Sequence, residues 1–499
     1  MKDYKLKLIL PKRKGGKSAE LLDMKKMAEV LGGRKFGNPP LGLPTIAALT
    51  PPNFEISIID EHVDDIDFDE KVDLVGISCM TPMAPRAYEI AQEFRKRGKK
   101  VVFGGIHPSM LPEEASKFAD TIVIGEAEGL WPSLIRDFLK GDLKAFYRSE
   151  QKVDLTNSPV PRFDLLNNDH YITHTLQVSR GCPHSCEFCS NTAFLGSRHR
   201  FKPIENVIRE IEVLKMIDRK KTIFICDDNI TANKRYAKEL FRTLIHLDVT
   251  WSGMASIDVA WDDELLELIR RSGGKQLFIG FESLSQKNLD LMNKSGGMNK
   301  VEDYAFAIHK VQSKGIAIMG GFILGCDFDD EDVFQKLVKF INNTNIMVPQ
   351  IRILQVYPGT RLFRRLKEEG RILNENWSDR SGDVVTFEPK LMSKETLLEG
   401  YNYVVRELFS MDSIYKRLTG FWRSQQMRSK PMPSSLKQIL HLLTRGIWKQ
   451  GKEGILLMLK AALALNVKTP LSDRFYSLLV NLSINDYVYN SLGKGDSVR

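Results

Sequence analysis

Two hydrophobic rhythms alternate along this chain. Through its first 145 or so residues, short apolar runs at Lys5–Leu10, Phe54–Asp60, Val72–Ser78, Lys100–Gly105 and Thr121–Gly125 stand between amphipathic stretches such as Pro85–Arg97 and Leu130–Leu139. Runs apolar on both faces suit strands buried in a parallel sheet, and the intervening helical periodicity suits helices that cover it. Five such units predict an α/β domain over residues 1–145, a doubly wound sheet of flavodoxin-like order with a ligand crevice at the C-terminal ends of its strands. Small and polar residues fall at those ends: Ser78-Cys79-Met80-Thr81, Gly104-Gly105-Ile106-His107 and Gly125-Glu126-Ala127-Glu128. Glycine there lets the backbone approach a bulky ligand closely.

Residues 146–172 read as a linker, marked by the turn-rich Asn157-Ser158-Pro159-Val160-Pro161. The alternation then resumes. Strand patterns occur at Thr175–Ser179, Thr222–Asp227, Thr250–Ser256, Gln276–Glu282, Ile316–Leu324 and Pro349–Val356, with helical patterns at Ile204–Met216, Lys234–Leu247, Asp262–Arg271 and Glu331–Asn342 between them. Six βα units over residues 173–380 predict an open (βα)6 partial barrel, with its active site at the strand C-terminal ends. Residues 381–499 read as a mainly helical, basic C-terminal domain.

Chemistry concentrates on those strand ends. The first is followed by Cys182-Pro183-His184-Ser185-Cys186-Glu187-Phe188-Cys189, a C-x3-C-x2-C loop. Three thiolates on one short loop can hold three irons of a cubane cluster and leave the fourth open, as catalysis requires. Zinc is the alternative, with His184, Cys226 or Cys79 as a fourth ligand, although no second cysteine pair is present. Cys79, Cys226 and Cys326 are single residues at the ends of apolar runs, where a cysteine acts as a small hydrophobe. Later strand ends carry Asp227-Asp228-Asn229, Gly280-Phe281-Glu282-Ser283 and Gly320-Gly321-Phe322, a mixture of carboxylates and glycines. Any one of these acids could be a helix cap or solvated turn.

The cysteine loop and the strand-end runs together resemble the radical S-adenosylmethionine (SAM) superfamily. The resemblance implies that Cys182, Cys186 and Cys189 bind a 4Fe–4S cluster and that SAM fills the open iron. Reduction would then release a 5′-deoxyadenosyl radical. Phe188, Asp227, Asp228, Glu282, Ser283 and Gly321 are the expected SAM contacts, and no catalytic side chain beyond the cluster ligands is expected.

The N-terminal region is similar to the cobalamin-binding domain of many such enzymes, through Gly104-Gly105-x-His107-Pro108 and Gly125-Glu126-x-Glu128. Ser78, Thr81, Gly104, Gly105, His107, Gly125 and Glu126 are its expected cobalamin contacts. The D-x-H-x-x-G signature, whose histidine ligates cobalt, is missing. Asp60-Glu61-His62-Val63-Asp64-Asp65 imitates it but lacks the glycine and follows the second strand. Gly15-Gly16-Lys17-Ser18 likewise imitates a phosphate loop, with Pro11 where the first glycine should stand. The similarity to the cobalamin-dependent branch continues in Arg200-Phe201-Lys202 and the helix from Glu205. Tyr357-Pro358-Gly359-Thr360-Arg361-Leu362, Glu369-Gly370-Arg371-Ile372 and Phe387-Glu388-Pro389 resemble a C-terminal domain found in a group that includes the hopanoid methylases.

Charge adds one feature. The 499 residues carry a net charge of +9, and residues 401–499 alone hold 15 Lys and Arg against 6 Asp and Glu, so the preceding 400 residues balance to zero. That tail also contains the apolar run Gly454–Val467, too short to span a bilayer. It suits either a core helix with a basic face or a helix lying on an anionic membrane surface. The N-terminus lacks an apolar core of signal-peptide length, and cluster thiolates need a reducing compartment, so a cytoplasmic protein, with peripheral contact at the inner membrane face, is expected.

The leading expectation is cobalamin-dependent methylation of an unactivated carbon in a small-molecule or lipid substrate, with flavodoxin or ferredoxin as reductant and no nucleic-acid partner. The alternatives are radical cyclisation, ring contraction or carbon–carbon coupling without methyl transfer, and a non-catalytic metal-binding scaffold.

Overall fold

The computed structural model describes residues 4–13, 37–149, 151–294 and 299–425. These fall into two compact units, the first of residues 4–13, 37–149, 151–219 and 356–381, the second of residues 220–294, 299–355 and 382–425. Gly15–Ser18, Pro431–Pro433 and Gly454–Val467 lie outside the described residues.

The first unit is built on a parallel sheet. Its strands are β1 (Tyr4–Leu10), β2 (Phe54–Asp60), β3 (Leu74–Ser78), β4 (Lys100–Gly104), β5 (Thr121–Ile124) and β6 (Phe146–Arg148), in the order β2-β1-β3-β4-β5-β6. The first five follow the expected flavodoxin-like order. The sixth lies inside the stretch expected as a linker. Both faces of the sheet are buried, which explains why the strand sequences are apolar throughout. Ile9, Val75, Ile77, Val101 and Phe103 face helix Ala84–Lys96 in one core, while Leu6, Leu8, Leu74, Val102 and Val123 face helix Trp131–Lys140 in the other.

The same unit holds β7 (His174–Leu176) and a two-stranded antiparallel ribbon of β8 (Ser179–Arg180) and β9 (Arg200–Phe201). The cysteine loop and helix Ser190–Leu195 connect the ribbon strands, so the ribbon closes the base of that loop.

In the second unit, β10 (Ile223–Ile225), β11 (Trp251–Ala255), β12 (Gly274–Glu282), β13 (Ala317–Leu324) and β14 (Val348–Ile353) pair in parallel and in chain order. These are five of the six strands expected of the barrel, the first of the six being formed by β7 and β8 in the first unit, and helices Ile204–Asp218, Lys234–Leu244, Asp263–Arg271 and Asp332–Asn343 match the expected helical patterns. Helices Lys394–Leu408 and Met411–Ser424 bear out the helical C-terminal region as far as it is described.

Candidate active site

The cysteine loop of the first unit is held from several directions. Gly181 has φ +83°, and a Cβ there would collide with the Arg198 carbonyl oxygen, so only glycine fits before Cys182. The Cys182 N–H reaches the Gly196 carbonyl (3.4 Å), and the Cys189 N–H reaches that of Cys186 (3.2 Å). The Cys189 sulfur caps helix Ser190–Leu195 by accepting from the Thr192 N–H (3.4 Å). A donor on a cysteine sulfur stabilises thiolate, and donors of this kind tune iron–sulfur clusters. From the far end of the sequence, helix Arg361–Glu368 braces the loop. Arg361 donates to the Ser185 carbonyl, the Leu362 N–H to that of Glu187 (3.0 Å), and Arg365 pairs with the Glu187 carboxylate (2.7 Å). The loop's shape thus comes from backbone and charge contacts, and all three cysteines are half-buried.

That arrangement fits a cluster carried on a partly exposed loop. Among the described residues, no group of three or more His, Cys, Asp or Glu side chains is arranged to close on a single metal ion. Cys79, considered as a fourth zinc ligand, is packed into the first core, with burial first and the Glu114 charge second pushing its thiol well above the ordinary range. A group so hard to ionise is a poor metal ligand. Cys326 is also buried, 4.0 Å from the Met292 sulfur.

The strand ends of the first sheet form the second element. Ser78, Gly104, Gly105 and Gly125 are half-buried there. Gly105 has φ +100°, and a Cβ would lie 2.8 Å from the Cys79 carbonyl oxygen, so glycine is compulsory for the fold itself. Gly104 is different: a Cβ would meet only Val123, at 4.0 Å, so the space before it is open. Open space before one glycine, beside a second turn at Gly125 with φ +96°, is a cradle suited to a flat, bulky group such as a corrin. Ser109 ties the turns together by donating to the Gly105 carbonyl (2.7 Å) and accepting from the Gly125 N–H (2.9 Å).

Three residues expected in this crevice have buried side chains. Thr81 is enclosed in the turn after β3. The His107 ring is fully buried, 2.8 Å from the Tyr88 hydroxyl and edge-on to Trp377, whose indole donates to Glu114 (2.8 Å). The Glu126 carboxylate is taken up by Arg180 (2.9 Å) and Arg200 (2.9 Å). Burial alone would raise the Glu126 pKa, but the two arginines outweigh it and hold it below the ordinary value. These side chains shape the crevice through the backbone they fix. The segment that imitates the cobalt-ligand signature serves structure: Asp60 holds His62 (2.7 Å) and accepts from the Tyr171 hydroxyl (3.0 Å) at the end of edge strand β2.

In the second unit, β12 alternates so that Phe278, Gly280 and Glu282 stay half-buried while Leu277, Ile279 and Phe281 are enclosed. Glu282 has φ +64°, rare for a residue with a side chain, and the ladder with β13 shifts register at this point. Such strain persists where the surroundings enforce it, commonly at functional sites. Its carboxylate pairs with Lys294 (3.1 Å), and a Cβ on Gly280 would collide with it. Gly321 leaves room for the Phe278 ring, which a Cβ would meet at 2.8 Å. The Ser283 hydroxyl accepts from Ser285 N–H and the Asn288 amide (3.1 Å each), a turn-capping role. Asp227 is buried, Asp228 less so, and Asn229 next to them donates to Ser256 (2.9 Å).

The glycines, the cysteine loop and the strand-end acids were legible from type and position. Glu128 and Arg200 stand in the motifs that carry the resemblance, whereas Arg180, Arg365 and Lys294 belong to no such motif. Arg180 stands two residues before the first cysteine, and that proximity was the available signal.

Comparison with known proteins agrees with this layout. The radical SAM superfamily profile matches residues 176–341, the B12 binding domain profile residues 30–135, and a domain of unknown function (DUF4070) residues 360–481. The bacteriochlorophyllide d C-12(1)-methyltransferase of Chlorobaculum tepidum is 33% identical over 391 residues, covering 76% of this chain and 85% of that protein. The hopanoid C-2 methylase of Rhodopseudomonas palustris is 26% identical over 439 residues, covering 83% and 81%. Among solved structures, the cobalamin-dependent SAM radical enzyme OxsB, with aqua-cobalamin and SAM bound, has a similar fold, with TM-score 0.63, 16% identity and coverage of 99% of this chain and 80% of that one. The chain belongs to the radical SAM superfamily, in the branch of methyltransferases that carry an N-terminal cobalamin-binding domain.

Proposed function

We propose that this enzyme transfers a methyl group to an unactivated carbon of an apolar, membrane-associated small molecule. When bound, the cluster and SAM supply a 5′-deoxyadenosyl radical and cobalamin supplies the methyl group. The observation that carries the reading is that the helices following the Gly104-Gly105 turn and the cysteine loop belong to one unit and pack together. Helix Ile106–Met110, which follows the Gly104-Gly105 turn, packs on helix Ser190–Leu195, which Cys189 caps. Radical generation and methyl donation must act on one substrate carbon, so their sites have to be neighbours.

The chain's residues have separable parts in this reading. Cys182, Cys186 and Cys189 hold the cluster, while Glu187, Arg361 and Arg365 fix their loop. Phe188, on the same loop, would lie near the SAM adenine. In the second unit, Glu282 and Asp227 or Asp228 carry the carboxylates that would accept hydrogen bonds from the SAM amine and ribose hydroxyls. Glu282→Gln is expected to weaken SAM binding by roughly 1.5–3 kcal/mol, the worth of one charge-assisted hydrogen bond. Titration calorimetry checks this, and unaltered affinity would remove Glu282 from the site. Ser78, Gly104, Gly105 and Gly125 are the residues that would hold the corrin.

The reaction is tested by growing the host and a deletion strain on methyl-labelled methionine and comparing their lipids and pigments by mass spectrometry. A host product heavier by one labelled methyl than its counterpart in the deletion strain is expected. A product of unchanged carbon count would establish cyclisation or coupling instead.

The substrate class is supported by the relatives named for pigment and hopanoid methylation, and by the charge of residues 401–499. No helix among the described residues is long and apolar enough to cross a membrane. A basic tail on the inner membrane face, at about 1 kcal/mol per basic residue near an anionic surface, supports reversible docking. The full-length protein should pellet with anionic vesicles at low salt and be released at high salt. Failure to pellet at low salt would leave the tail with no part in membrane docking.

A further inference from the structure

We propose that Arg180 is a positioning residue that couples cobalamin occupancy of the N-terminal crevice to the cluster on the cysteine loop. The proposal rests on the cofactor assignments above. Arg180 ends β8, two residues before Cys182. Its guanidinium reaches three side chains: Nε donates to Gln177 (2.7 Å), one Nη to Glu126 (2.9 Å) and the other pairs with Glu128 (2.5 Å). Glu126 and Glu128 belong to the turn that begins at Gly125, at the end of β5. One side chain therefore joins the rim of the crevice to the root of the cluster loop.

Arg200 reinforces the joint. It stands opposite Arg180 in the ribbon, donates to both oxygens of Glu126 (3.0 and 2.9 Å) and holds the Val153 carbonyl (2.7 Å). Two cations and two anions balance, and none of the four side chains is more than 13% exposed. Buried charges matched in this way cannot separate singly without stranding a partner. A guanidinium fork fixes direction as well as distance, which a lysine ammonium does not. Between Arg180 and Cys182 there is only Gly181, whose left-handed backbone is pressed against that of Arg198. A displacement of the 125–128 turn has little slack to absorb it before the first cysteine.

A joint with no functional part would stabilise the fold and leave the two cofactors independent. A coupling joint makes each cofactor alter the other's affinity, reciprocally. The full-length protein should be titrated with hydroxocobalamin, followed by absorbance, in cluster-free and cluster-reconstituted forms. For the wild type, cobalamin affinity should differ between the two forms by about fivefold or more, within the usual span of such couplings. R180K and E128Q should bring that ratio to one while keeping iron content and circular dichroism. The electron paramagnetic resonance signal of the reduced cluster should respond to added cobalamin in the wild type and not in the variants. If R180K loses its cluster, E128Q carries the test, since it leaves both arginines on Glu126. A wild-type ratio of one, or cluster-replete variants with the wild-type ratio, would overturn the coupling alone. A wild type that takes up no cobalamin would overturn the cofactor assignment together with the coupling.

Discussion

Replacing Cys182, Cys186 and Cys189 together by alanine should leave a folded protein with no iron, no brown chromophore and no SAM cleavage. The loss is expected to be complete, because the loop holds no other cysteine and SAM cleavage draws its electron through the cluster. The fold should survive because backbone and charge contacts also hold the loop, beside the Thr192 N–H at Cys189. Gly181, the ribbon, Arg361 and the Arg365–Glu187 pair remain in place. Iron analysis and absorbance after anaerobic reconstitution, with circular dichroism beside them, decide the matter. Iron equal to the wild type in the triple variant would show that the cluster lies elsewhere.

Gly104→Val should abolish corrinoid uptake with little change in stability. Valine suits a strand, and its Cβ would approach only Val123, at 4.0 Å. A rigid corrin pressed against the added methyl groups cannot repack. The expected cost to binding is about 3 kcal/mol or more, upward of about 100-fold in Kd. Gly105→Val is the instructive contrast. There the Cβ would sit 2.8 Å from the Cys79 oxygen on a backbone of φ +100°, so the protein itself should suffer. Wild-type cobalamin retention by Gly104→Val would place the cofactor away from β4.

The first sheet was readable almost to the residue because parallel strands bury both faces and leave uninterrupted apolar runs. Phe54–Asp60 falls at the same bounds in sequence and structure, and Leu74–Ser78 starts two residues late. β6 escaped because only Tyr147 of its three residues is buried, and so short a run carries no period. The β8–β9 ribbon escaped for the same reason, with two residues in each strand. The cysteines were legible because three ligands of one cluster sit within eight residues. Arg180 and Glu126 lie 54 positions apart, and a charge does not name its partner across that distance. The positive φ of Glu282 was also hidden, since strain belongs to backbone geometry and leaves no mark in residue type.

Arg365 meets Glu187 across 178 residues. On a ribosome adding about 5–20 residues per second, the brace arrives roughly 10–35 s after the cysteines are made. During that interval the loop has its thiols but lacks its outer clamp, open to oxidants and to stray metal ions. Cluster delivery is thus best timed to late synthesis or to the finished chain. Chains that stop before residue 365 should load iron poorly even though every ligand is present.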